Sequence, residues 1–367
     1  MSATTFLYCA CQVGAEAALK QAVVEEHPTW RPAFARPGLV TFKVPDAAGS
    51  QVPSSSTPLG RVWGRSLGPA RDVDTVYQAV RTLGLGSAAR LHVWERDRYK
   101  PGDEPSGFEY GPAAALVYEA LDRNWPQDLP RCSGQRARAG DPIVDVVVGT
   151  ADEPWLVGTR RLGDGAVPWP GARIPVEPQP DAPSRAYYKL EEALAWSQAP
   201  VRSGDVVVEL GSAPGGASHA LLRRGLMVHG IDPGAMDPRV LEFCGAGGNR
   251  FTHHACRMSE VGRGDLPRRL HWVISDVNLA PQIALQTIRR LAAKPRDRLC
   301  GVLATFKLDD WKALRHVPGW MRQLEAMGMV QTGVTQLPRN RMELFAFGLT
   351  SAGAARIETL RAGRRQG

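Results

Sequence analysis

Hydrophobic and polar positions alternate in two different styles along the chain. In the first half, runs with strand character are interleaved with amphipathic helical patterns. TFLYCAC reads as a strand, residues 14–25 as a helix, and GLVTFKV as a second strand. A loop rich in Pro, Ser and Gly follows at residues 45–60. Residues 72–83 and 112–123 predict helices, and ARLHVWER, PIVDVVVG and PWLVGTR predict strands. This mixture has no phosphate-binding glycine loop and predicts an α+β half. Residues 163–183, GDGAVPWPGARIPVEPQPDAP, carry six prolines, which exclude a helix and favour extended chain. The stretch reads as a linker.

Beyond it the pattern becomes regular. DVVVEL (205–210), LMVHGID (226–232), FTHHA (251–255), HWVISDV (271–277) and LCGVLATFK (299–307) are short apolar runs of buried parallel strands. Helical segments are expected at 183–196, after the first strand, near 281–293 and at 310–327. The last runs, VQTGVTQL (330–337) and MELFAFGL (342–349), are separated by PRNR alone. So short a connection cannot make a parallel crossover, so these two strands are expected to pair antiparallel. The expected architecture is a Rossmann-like α/β sheet with an antiparallel last strand, preceded by an α+β domain. The expected divisions are 1–162, the linker 163–180, the α/β domain 181–350 and a basic tail 351–367.

Composition sharpens this picture. The 367 residues have an ordinary apolar content of 43% and a net charge of +8, which suits a polyanionic partner. Arg61, Arg65, Arg71, Arg81, Arg90, Arg96, Arg98 and Lys100 crowd one part of the first half. No run reaches the roughly 18 apolar residues of a membrane span. The start, MSATTFLYCACQVG, does not read as a signal peptide. Six scattered cysteines without a CxxC pair fit reduced thiols in a cytoplasmic protein. His253, His254 and Cys256 lack a second ligand pair, and no metal site is expected.

Two groups of residues carry candidate chemistry. ELGSAPGGAS (209–218) follows a strand and opens a helix, the place where dinucleotide enzymes bind a pyrophosphate. Gly211 allows the sharp turn, and Gly215 and Gly216 are expected to let a ligand approach. Ala213 and Pro214 make a poor phosphate cradle and argue against a nucleotide-dependent oxidoreductase. Asp232 ends the second strand, placed to accept from a ribose. The second group is charged. Ser184 is the expected N-cap of a helix that carries Lys189 on an apolar strip. Asp276 and Lys307 end two parallel strands, and Glu343 begins the antiparallel one. Topology should therefore gather these charges at the ligand edge of the sheet.

SRAYYKL, ELGSAPGG, SDVNLAP, TFK and RMELF stand in the order of the FtsJ-like ribose 2′-O-methyltransferases, which the second half resembles. In length and domain order the whole chain resembles the M-type 23S rRNA (cytidine 2′-O) methyltransferases, which carry an N-terminal THUMP-type RNA-binding module. The resemblance implies S-adenosylmethionine as cofactor, 23S rRNA as partner before full ribosome assembly, and a catalytic Lys189, Asp276, Lys307 and Glu343, with Lys307 as general base. It places the cofactor at Ser184, Gly211, Ala213, Pro214, Gly215, Gly216, Asp232 and Asp276. Two positions depart from the family pattern. Ala255 stands near the usual adenine-reading acid, and Ala217 where an aromatic residue is frequent. The competing expectation is an RNA-binding protein with an inactive methyltransferase-like domain.

Overall fold

A computed structural model describes residues 5–45, 57–85, 88–106, 109–132, 134, 136–245, 250–292 and 298–365. Most of the loop expected at 45–60 lies outside them. The chain divides into two compact units, Met1–Ile174 and Pro175–Gly367. Among the described residues no helix is long and apolar enough to cross a membrane.

The first unit runs β1 (Thr5–Ala10), α1 (Glu16–Glu26), β2 (Arg31–Arg36), β3 (Leu39–Val44), β4 (Val62–Ala70), α2 (Val73–Arg81), β5 (Arg90–Glu95), α3 (Pro112–Arg123), β6 (Pro142–Val148) and β7 (Trp155–Arg161). These strands form one sheet in the order β2-β3-β1-β4-β7-β6-β5. The β5–β6 pair is parallel and the other neighbours are antiparallel. The sequence pattern missed β2 and β4. The first, RPAFAR, is an edge strand with mostly exposed residues, so it lacks an apolar face. The second is interrupted by Gly and Pro and bulges between Ser66 and Gly68.

A polar knot lies inside this unit. The fully buried Asp145 accepts from the Tyr8 hydroxyl at 2.7 Å, Trp94 Nε1 at 2.8 Å and Arg160 Nε at 2.7 Å. Burial pushes the Asp145 carboxyl up, but the charges of Arg160 and His92 more than reverse this and hold it low. Several arginines that suggested a nucleic-acid surface are likewise internal fasteners. Arg61 pairs with Asp97 at 2.5 Å and Arg96 with Glu153 at 2.5 Å, both guanidiniums being buried. Arg81, Arg90 and Arg98 pair with Asp128, Asp141 and Glu95. Among the described residues, only Arg65, Arg71 and Lys100 of that group lack a carboxylate partner.

The proline-rich stretch departs from the expected linker. Ala137 N–H donates to Pro168 O at 2.9 Å, a 3₁₀ turn at Pro170–Ala172 buries Ala172, and Arg173 reaches Asp97 at 2.5 Å. Its first part therefore belongs to the first unit.

The second unit runs α4 (Ala186–Ser197), β8 (Val206–Leu210), α5 (Gly216–Arg223), β9 (Met227–Ile231), α6 (Pro238–Leu241), β10 (Phe251–His254), β11 (Trp272–Ser275), α7 (Pro281–Ala292) and β12 (Gly301–Lys307). A 3₁₀ segment, Trp311–His316, leads into α8 (Val317–Ala326), then β13 (Gln331–Thr335), β14 (Glu343–Leu349) and α9 (Ser351–Arg365). The sheet order is β10-β9-β8-β11-β12-β14-β13. Strands β8 to β12 pair parallel, and β14 runs antiparallel to both β12 and β13. Val207, Val228, Trp272, Leu303 and Phe347 share one core. The expected basic tail is instead a docked helix. Ile357 is buried in that core and Arg356 reaches Asp205 Oδ2 at 2.7 Å.

Truncating one partner of a buried ion pair costs about 3–5 kcal/mol. Asp145→Ala should lower the stability of the first unit by that order, measured by urea unfolding of the full chain followed by tryptophan fluorescence. Because its folded pKa is lowered, the contribution is present above the ordinary value of 3.8 and is lost as pH falls through the lower folded value. A loss below about 1 kcal/mol would show the knot to be dispensable.

Candidate active site

The sheet changes its direction of winding between β8 and β11, and the crevice above their carboxyl ends is where α/β sheets bind ligands. Four charged side chains meet there. Asp276 directly follows β11. Lys307 ends β12 and stands in register opposite Glu343, the first residue of β14. Lys189 comes from α4, which is brought in by close packing on α5. A side chain at Gly216 would collide with Ser184 Oγ and lie 2.9 Å from Tyr187 N.

The four form a closed ring in which cation and carboxylate alternate. Lys189 Nζ lies 2.9 Å from Asp276 Oδ2 and 2.6 Å from Glu343 Oε1. Lys307 Nζ lies 3.0 Å from Asp276 Oδ1 and also pairs with Glu343 Oε2. Each lysine bridges both carboxylates, and each carboxylate uses its two oxygens on different lysines. Glu343 is nearly buried, with 6% of its side chain exposed, whereas Lys307 keeps 25%. The ring is thus more open at Lys307 and Asp276, the latter 22% exposed, than at Glu343.

Electrostatics set the charge states. Burial pushes the Asp276 carboxyl up, but Lys189 and Lys307 pull it below its ordinary value. Glu343 behaves alike: burial raises it, Lys189 lowers it, Asp276 raises it and Lys307 lowers it, for a net fall. For Lys307, burial favours the neutral amine, yet Asp276 and Glu343 outweigh it and raise its pKa. Lys307 therefore rests as the ammonium.

The glycine loop is built against this ring. Gly211 has φ +81°, a conformation that other residues rarely adopt, and a Cβ there would lie 2.7 Å from Asp276 O. Asp232 accepts from Ala213 N–H at 3.1 Å and Gly234 N–H at 2.7 Å, which fixes its carboxylate at the end of β9. Gly215 and Gly216 depart from their expected role. The space beyond Gly215 holds Val240 and Met236, and the space beyond Gly216 holds Ser184. These two glycines let helices pack; a ligand would not occupy that volume. Pro214 O accepts from Asp237 N–H at 2.9 Å, which ties the loop to the start of α6. Ser184 is not the formal N-cap, a place taken by Arg185, but its Oγ accepts from Ala186 N–H at 3.3 Å. Ala255 is exposed just past β10, while His253 Nε2 contacts Asp232 O at 2.9 Å.

Two residues escaped the sequence reading. Glu209, 1% exposed, ends β8 but for one residue and accepts from Ser218 Oγ at 2.5 Å. Burial pushes its carboxyl up to about 8, opposed by the Ser218 hydroxyl and reinforced by Asp276 and Asp232, so it holds a proton at neutral pH. Asn340, 2% exposed, donates from Nδ2 to Glu343 Oε1 at 3.2 Å. The acid in ELG was a usable signal for Glu209; nothing in PRNR marks Asn340.

The residues fit the expected S-adenosylmethionine. A backbone-locked Asp232 suits a ribose diol, the free N–H groups at the start of α5 suit a carboxylate tail, and Gly211 sets both against Asp276.

Residues 182–303 match the model of the FtsJ-like methyltransferase family. That span includes Lys189 and Asp276 and stops before Lys307 and Glu343. The chain is similar to a ribosomal RNA large subunit methyltransferase M from Chromohalobacter salexigens, 34% identical over 196 residues, 50% of each chain. A protein of the same description from Shewanella frigidimarina is 44% identical over 104 residues, 26% of each chain. Another, from Shewanella amazonensis, is 36% identical over 103 residues, 26% of this chain and 27% of its own. These matches span half or less of the relatives' length. The FtsJ-like methyltransferase match thus falls within the second unit, Pro175–Gly367.

Proposed function

We propose that the protein transfers a methyl group from S-adenosylmethionine to a ribose 2′-hydroxyl of large-subunit ribosomal RNA, a cytidine in 23S rRNA. The observation that carries this reading is the closed Lys189–Asp276–Lys307–Glu343 ring at the ligand edge of the sheet. The names of the similar proteins support rRNA as substrate. All four ring members are present and mutually paired, which disfavours an inactive domain kept for RNA binding alone.

The bound cofactor supplies an electrophilic methyl group on a sulfonium. The protein must then align the ribose hydroxyl and take its proton, since a hydroxyl is a poor nucleophile at neutral pH. Lys307, on the more open side of the ring, meets the hydroxyl. Asp276 and Glu343 hold its Nζ from two sides, and Lys189 balances the charge of those carboxylates. The neutral amine accepts the hydroxyl proton, which leaves the oxygen nucleophilic toward the methyl group that the cofactor would supply. Its raised pKa makes that form a minority at pH 7.

Lys307→Ala should lower the single-turnover rate about 10²–10⁴-fold, the usual effect of losing a general base, with cofactor affinity by calorimetry nearly intact. Lys307→Arg should fare no better, because a guanidinium keeps its proton. The wild-type rate should rise with pH from 7 to 9, and both variants should lose that slope. A rate within about threefold of wild type in Lys307→Ala would remove the residue from the mechanism. Full activity in Lys307→Arg would assign Lys307 the part of a fixed cation.

We further propose that the first unit, THUMP-like in the sequence reading, holds the RNA. Support comes from the exposed Arg71 and Lys100, which have no carboxylate partner among the described residues, although residues 1–174 as a whole carry no net charge and the chain's surplus of +8 lies in the second unit. Charge reversal at Arg71 and Lys100 in the full chain should weaken rRNA binding and shallow its salt dependence by about one unit per lost phosphate contact. An unchanged affinity and slope would place the RNA elsewhere.

A further inference from the structure

The connection between β13 and β14 holds a side chain aimed at the ring. Asn340 is 2% exposed. Its Oδ1 accepts from Leu337 N–H at 2.9 Å, and its own backbone N–H donates to Leu337 O at 3.0 Å. A backbone donor must face the amide oxygen, so this tight turn orients the side chain and turns Nδ2 the other way. Nδ2 then meets Glu343 Oε1 at 3.2 Å, the same oxygen that receives Lys189. Glu343 Oε2 is left for Lys307.

We infer that Asn340 is a positioning residue of the methyl-transfer site: its amide fixes the rotation of the Glu343 carboxylate, and through it the place of Lys307 Nζ. The inference rests on the function proposed above. Without this donor the carboxylate keeps, among the described residues, only the two flexible lysines as partners. A shift of about 1 Å in a reacting group can cost 10²-fold in rate. The amide also suits the electrostatics. A neutral N–H donor favours the ionised form of Glu343, whereas a carboxylate in its place would repel it and favour protonation.

That contrast separates positioning from turn-making. Asn340→Asp keeps an acceptor for Leu337 N–H but replaces the donor to Glu343 with a negative charge. Asn340→Ser also keeps a short acceptor, without the charge and without the reach to Glu343. Both variants are to be compared with wild type as full chains. The readouts are melting temperature, kcat and KM on rRNA, and the titration of the Glu343 carboxyl by ¹³C NMR.

Both variants should keep KM while kcat falls about ten- to 10²-fold, and Asn340→Ser, which adds no buried charge, should melt within a few degrees of wild type. In Asn340→Asp the Glu343 carboxyl should titrate at higher pH. Unchanged kcat in both variants, with Glu343 titrating as in wild type, would reduce Asn340 to a turn residue and overturn the inference. Should the aspartate variant fail to fold, the serine variant decides by the same kcat criterion. A wild-type protein inactive on rRNA would remove the proposed function, and the titration would still decide the part of Asn340.

Discussion

One reversal of chain direction governs the site. Parallel strands deliver their carboxyl ends to the ligand edge of the sheet, and β11 and β12 bring Asp276 and Lys307 there in that way. Strand β14 runs antiparallel, so its first residue reaches that edge, and the register sets Glu343 directly opposite Lys307. A shift of one residue would turn Glu343 to the other face of the sheet. The short β13–β14 connection that turns β14 antiparallel to β13 also carries Asn340. The direction of β14 and the fine placement of one carboxylate therefore come from a single hairpin, and the register comes from its pairing with β12.

The ring that results is stabilised by its own closure. Two carboxylates brought this close and this deep would repel, and burial alone would raise both pKa values. Two interleaved lysines reverse that and keep both carboxyls ionised. The same fields raise Lys307, so its amine rests in the protonated form. Gly211 couples this arrangement to the glycine loop, because only a residue without a side chain can lie against the Asp276 backbone there. Loop and ring are one packed object, and a change in either should be felt in the other.

Much of this was legible in the sequence because topology follows from local pattern. Apolar runs marked the strands, the PRNR connection implied the antiparallel pair, and strand direction alone placed Asp276, Lys307 and Glu343 at one edge. What escaped depends on contacts between distant segments. Gly215 and Gly216 looked like space for a ligand, yet Val240, Met236 and Ser184 fill that space. Arg61 and Arg96 looked like a basic surface, yet Asp97 and Glu153 bury them. The prolines at 168 and 170 looked like a free linker, and the final arginines like a tail, until Ala172 and Ile357 proved to be buried. Charge and composition are local quantities; pairing and burial are not.

The central claim is that this ring acts on a ribose hydroxyl of large-subunit rRNA. Its most direct test is mass mapping of 23S rRNA incubated with the protein and isotope-labelled S-adenosylmethionine. The account predicts label on the 2′-oxygen of a single nucleotide, a cytidine. Label on a base, or none on rRNA with a folded protein that binds the cofactor, would contradict it.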